Sequence, residues 1–142
     1  MSIDRGGKTR GEANNNPGNI DRTAIIWNGM MADQSGDPRF VVFNTPEDGI
    51  RALAKVLLSY YRKHGLNTVR QIVNRWAPPT ENDSGAYVNH VAGTLGVGPD
   101  AVIDVTDPDV LERLVKAIIA HENGRNIYED AVIVAAIDRA LA

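Results

Sequence analysis

A chain of 142 residues, 43% hydrophobic and 23% charged, is long enough to bury one real core and too short for two, so one domain over 1–142 is expected. No apolar run approaches the roughly 20 residues a spanning helix needs. The absence of cysteine excludes disulfides and thiolate metal sites, and a net charge of -3 without a dense basic stretch argues against a nucleic-acid partner. His64, His90 and His121 show no ligand spacing, so neither metal nor cofactor is expected. The opening MSIDRGGKTRGE lacks the apolar stretch of a secretory signal.

In chain order, residues 1–22 are rich in Gly, Asn and charge, with NNNPGN at their centre, and read as a partly irregular loop. Two β-branched and aromatic runs follow, Thr23 to Trp27 and Phe40 to Phe43, and suggest a small β-ribbon. From Thr45 the helical signals are clear: Thr45 as N-cap, Pro46 at the first position, Glu47 and Asp48 in the first turn, and Gly65 as a stop. The apolar positions Ile50, Leu53, Ala54, Leu57, Leu58 and Tyr61 make one buried stripe of what is expected to be the central helix.

Asn67 or Thr68 starts a shorter helix through Val69, Ile72 and Val73, which Pro78-Pro79 ends. Asp83 or Ser84 caps a helix carrying Tyr87, Val88, Val91 and Leu95, closed by Gly96. Asp107-Pro108 opens another that runs to Asn123-Gly124, and a last helix covers about Asp130 to Leu141. The fold class expected is mainly α with a minor β element.

The unusual residues gather in two polar loops, Gly11 to Asn19 and Ala77 to Ser84. In the first, Glu12 stands before several neutral amides, which suit the hydroxyls and acetamido groups of an uncharged saccharide. Equally, the asparagines can tolerate left-handed geometry and bond their own backbone while Glu12 is solvated. In the second loop Glu81 and Asp83 are close enough to crowd each other. Asp83 also suits a helix N-cap, and Glu81 a solvated position. Trp27 and Trp76 are the indoles that could stack on sugar faces, with a core role the stronger reading for Trp76. Glu122 ends a helix, where its charge opposes the dipole; a buried pairing with Arg51 or Arg113 would account for it.

Glu12-Ala13-Asn14-Asn15-Asn16-Pro17 resembles the Glu-Ser-x-x-Asn-Pro element of soluble lytic transglycosylases and goose-type lysozymes, whose glutamate is the catalytic acid. Gly29-Met30-Met31 resembles their Gly-Leu-Met-Gln, with Gln34 displaced from the glutamine's place. Asp83-Ser84-Gly85-Ala86-Tyr87-Val88 resembles their Glu-Thr-x-x-Tyr-Val, whose tyrosine sits near that glutamate. More closely, RGExNNNPGNI, WxGM, FNTPEDGIRAL, RWAPPTEND and HENG together resemble a group of phage and prophage lysozyme-like virion proteins, from Arg10 to about Gly124. This chain departs in having almost nothing before Glu12 to form the helix that carries the family's glutamate, and in Ala13 replacing serine.

The resemblance implies a lysozyme-like α+β fold and a muramidase, most simply a lytic transglycosylase acting on peptidoglycan glycan strands. Glu12 would be the acid/base, with Tyr87 beside it and Trp27, Phe43 or Tyr87 as an apolar shield, and the resemblance implies no second carboxylate. From the loop residues alone, Glu81 or Asp83 could also be a catalytic base, and an essential Glu81 would make the enzyme a hydrolysing muramidase. Asn15, Asn16, Asn19, Trp27, Asn82 and Asp83 would bind substrate. It also implies a protein carried in the virion, or held in the bacterial cytoplasm until release to the cell wall, with other virion proteins as partners. Two alternatives stand beside it: a virion structural protein that keeps the fold without catalysis, and a small adaptor module.

Overall fold

The computed structural model describes residues 3–4, 6–80 and 83–142. A two-stranded antiparallel ribbon opens the chain, β1 (Ile3–Asp4) against β2 (Lys8–Thr9), with Ile3 opposite Thr9 and Asp4 opposite Lys8. It leads into the single turn α1 (Arg10–Ala13). Five longer helices follow: α2 (Pro46–His64), α3 (Val69–Trp76), α4 (Ser84–Leu95), α5 (Pro108–Asn123) and α6 (Asp130–Leu141). The architecture is mainly helical. Among the described residues, no helix is long and apolar enough to cross a membrane.

Local chemistry sets the helix ends. Thr45, Thr68 and Asp83 accept from the amides of Asp48, Gln71 and Ala86, and Asp107 accepts from Asp109 and Val110, each supplying a partner for first-turn donors that a helix leaves orphaned. Gly65 and Gly96 close α2 and α4 in left-handed geometry at φ 65° and 71°. Asn67 and Ser84, the alternative starts, are not the caps.

The core lies where α2 packs on α6, α5 packs on α4 and α6, and α3 packs on α4. Ile50, Leu53, Leu57, Leu114, Ile118 and Ile133 are fully buried there. Between α1 and α2 a second small cluster forms around Val41, Phe43 and Ala52, with Trp27 and Met30 packed against it. Helix α2 meets the loop closely enough that a Cβ on Gly49 would fall 1.7 Å from the Asn15 carbonyl, so this helical position admits only glycine.

The ribbon expected from Thr23 to Trp27 with Phe40 to Phe43 does not form. Only single antiparallel bridges occur there, Asp21 with Phe40 and Met30 with Phe43, and Ile25 and Ile26 are exposed. A buried carboxylate organises this segment instead of a ladder. Asp37 accepts a forked pair of bonds from Arg10 at 2.7 and 2.8 Å, one from Asn14 Nδ2 at 2.8 Å, and the amides of Arg39 and Phe40 at 2.8 Å each. Side-chain bonds of this kind offer the backbone an alternative to strand pairing. The Arg10 guanidinium holds the Asp37 carboxyl far below the usual carboxylate range despite its burial.

A candidate active site at the end of helix α5

Glu12, the expected acid, is buried but lies in a structural lock. Thr9 and Glu12 form a reciprocal capping box: the Glu12 amide donates to Thr9 Oγ1 at 3.1 Å, and the Thr9 amide donates to Glu12 Oε1 at 3.0 Å. Arg125 then forks onto the carboxylate, Nη2 to Oε1 at 2.6 Å and Nε to Oε2 at 3.0 Å. The Arg125 hydrogen bond outweighs burial and holds the Glu12 carboxyl below its ordinary value. This environment is the reverse of the apolar wall a proton donor needs. The apolar shield expected from Trp27, Phe43 or Tyr87 does not decide its state: burial raises the carboxyl less than the Arg125 bond lowers it.

The other loop residues are structural as well. Asn15 adopts φ 52° and donates to the carbonyls of Phe43 and Asn44; Asn16, fully buried, donates to Ile20 and Val41 and accepts from the Ile20 amide. This is the reading in which asparagine amides replace backbone partners. Trp27 packs on the Phe43 cluster and is not among the residues lining the groove described below, and Asp83 caps α4. Glu81 and Asn82 lie outside the described residues.

Asn19 and Tyr87 do come together, around a different carboxyl. Asn19 Nδ2 donates to Glu122 Oε1 at 3.1 Å and the Tyr87 hydroxyl donates to Glu122 Oε2 at 2.9 Å. The partners of Glu122 are therefore these neutral groups, not Arg51 or Arg113. Burial pushes the Glu122 carboxyl up, against the pull of hydrogen bonds from Asn19, Tyr87 and Trp76. Burial likewise keeps the Tyr87 phenol protonated. Its ring is fixed from behind by the His121 imidazole, stacked at 3.8 Å between centroids, and His121 meets His90 through their Nδ1 atoms at 3.0 Å.

The motif His121-Glu122-Asn123-Gly124 thus divides its labour. Glu122 faces a groove, while Asn123 fastens the N-terminal segment by accepting from Thr9 Oγ1 at 2.6 Å and donating to the Pro17 carbonyl at 2.8 Å. Gly124, at φ 72°, ends the helix. The groove encloses about 610 Å³. Gly18, Asn19, Tyr60, Trp76 and Glu122 line it, and Asp21, Arg39 and Arg75 bring further charge. Tyr60 and Trp76 meet edge to face at 6.4 Å, and Trp76 serves both the core and this wall. Among the described residues, no group of three or more His, Cys, Asp or Glu is placed to hold a metal ion.

Sequence reasoning missed Glu122 although a signal was present. A carboxylate in the last turn of a helix opposes the dipole and has to be explained by something in the fold. An ion pair is one explanation; the structure instead gives the carboxyl two neutral partners, Asn19 and Tyr87, at the wall of a groove.

No family model matches the chain. Over 123 residues it is 41% identical to protein P5 of Pseudoalteromonas phage PM2, an alignment that takes in 84% of this chain and 74% of that protein. The chain belongs to the family of that phage protein.

Proposed function

We propose that this protein cleaves the glycan strands of peptidoglycan, with Glu122 as the acid/base in place of Glu12, on a fold of lysozyme type. The observation that carries this reading is a half-buried carboxyl, held above its ordinary pKa, opening onto an aromatic-walled groove. Glycoside cleavage needs a protonated carboxyl beside the leaving oxygen and a means to meet the oxocarbenium-like charge that develops. Burial keeps the proton on Glu122 at higher pH than an exposed glutamate would hold it. Asn19 and Tyr87 fix both carboxyl oxygens in place and stabilise the charge left after the proton has gone.

Trp76 and Tyr60 present flat apolar surfaces on which a pyranose can rest. Among the described residues Asp21 is the other carboxylate lining the groove, and it is held by Arg39 at 2.6 Å, so of these two Glu122 is the catalytic carboxyl. The substrate's own acetamido and 6-hydroxyl groups would then complete an anhydro product, the outcome of a lytic transglycosylase. The test is solubilisation of dye-labelled peptidoglycan by the wild type, Glu122→Gln and Glu12→Gln. Activity lost in Glu122→Gln and kept in folded Glu12→Gln is expected; the reverse pattern would return catalysis to Glu12.

A phage component that keeps this fold without catalysis is the second reading, favoured only by membership of a phage protein family. It predicts a wild type inert on peptidoglycan.

A further inference from the structure

Among the described residues four charged side chains line the groove, and three are accounted for. Asp21 and Arg39 neutralise each other, and Glu122 is held by neutral partners. The fourth is Arg75, in the last turn of α3. Its guanidinium carbon lies over the Tyr60 ring, 5.1 Å from the centroid, on the residue next to Trp76. Among the described residues Arg75 takes part in no ion pair. It is also not one of the groups that shift Glu122, so its charge stands apart from the acid while sharing the groove. Contact with the Tyr60 ring and a hydrogen bond to its hydroxyl limit its rotamers and leave the remaining guanidinium donors for whatever lies along the aromatic wall.

We propose that Arg75 is an anion subsite that takes the carboxylate carried on the muramoyl side arm of a bound strand. A guanidinium fork matches a carboxylate through two parallel hydrogen bonds. A glycan of N-acetylglucosamine alone offers no such group, whereas a muramoyl residue always brings one, as its free lactyl carboxylate or through the peptide attached there. The subsite would give the groove preference for cell-wall strands over neutral chitin-type strands. The proposal rests on the glycan reading of the groove.

Binding, read without cleavage, separates the two. In the Glu122→Gln background, Arg75→Gln is compared with Arg75 for affinity toward peptide-bearing strands, amidase-stripped strands and chitohexaose. Arg75→Gln should weaken binding of carboxylate-bearing strands by about fivefold to tenfold, an effect that fades at high salt, and leave chitohexaose unchanged. A loss confined to amidase-stripped strands places the contact at the free lactyl carboxylate, a loss confined to peptide-bearing strands places it on the peptide's carboxylates, and a loss on both shows that the fork takes either. Arg75→Lys should recover part of the affinity. Equal binding by Arg75→Gln, an equal loss on chitohexaose, or no binding of any strand would overturn the subsite. A wild type that binds strands through Arg75 yet cleaves none would overturn only the enzymatic reading.

Discussion

Replacing Glu12 with Gln separates a structural carboxylate from a catalytic one. The Glu12 side chain is 1% exposed, and its Arg125 partner, 2.6 Å away, is 41% exposed. Removing one member of a fully buried pair costs about 3–5 kcal/mol, and an exposed pair contributes about 0–1 kcal/mol. With one partner wet, the loss should be about 2 kcal/mol. For a chain of this length that lowers Tm by about 4–8 °C. The sign with pH follows from a carboxyl held below its ordinary value of 4.5. Its stabilisation is complete above the unfolded-state value and disappears as pH falls through the folded one. Urea and thermal melts at neutral and acid pH should therefore show a gap between wild type and Glu12→Gln that closes on acidification. Arg125→Gln should be non-additive with it in a double-mutant cycle, by on the order of 1 kcal/mol. Below its melting temperature Glu12→Gln should still cleave peptidoglycan. A variant that melts like the wild type but has lost all activity would refute the structural assignment.

Tyr87→Phe removes a donor to Glu122 Oε2, which raises that carboxyl further; the alkaline limb of kcat/KM should move to higher pH and kcat should fall about tenfold. Glu122→Gln should raise Tm at neutral pH while abolishing activity. A carboxyl raised by burial contributes stability below its unfolded pKa that is lost as pH rises through the folded one, and glutamine removes that penalty, on the order of 1 kcal/mol. Gly49→Ala drives a methyl into the Asn15 carbonyl and should destabilise by about 3 kcal/mol, seen as a lower urea midpoint. Asp37→Asn leaves five donors facing a neutral amide and should cost about 3–5 kcal/mol, with proteolysis between Asp21 and Asn44 rising before global unfolding.

The helices were readable because their ends are written locally. Thr45-Pro46, Asp107-Pro108, Gly65 and Gly96 act on backbone groups within a few residues, and each stands where its chemistry places it. The polar loops were not, because their meaning depends on groups far along the chain. Nothing near Glu12 announces that Arg125, 113 residues later, will claim it. Nothing near Asn19 announces that Glu122, 103 residues away, will be its partner. Tyr87 stands in a motif legible in the sequence, but the carboxyl it donates to, Glu122, lies 35 residues further on. The β-branched run at Thr23 to Trp27 reads as a strand by propensity, but the facing segment gives the amides of Arg39 and Phe40 to Asp37, and only the isolated bridges Asp21 with Phe40 and Met30 with Phe43 form.

The most direct test is mass spectrometry of products from purified peptidoglycan digested with wild type and Glu122→Gln, each shown to be folded by its melt. The wild type should release muropeptides with new anhydromuramoyl ends, and Glu122→Gln should release none. Undiminished glycan cleavage by Glu122→Gln, or wild-type products that arise only from amide bonds, would contradict the assignment of Glu122 as the acid that cuts the strand.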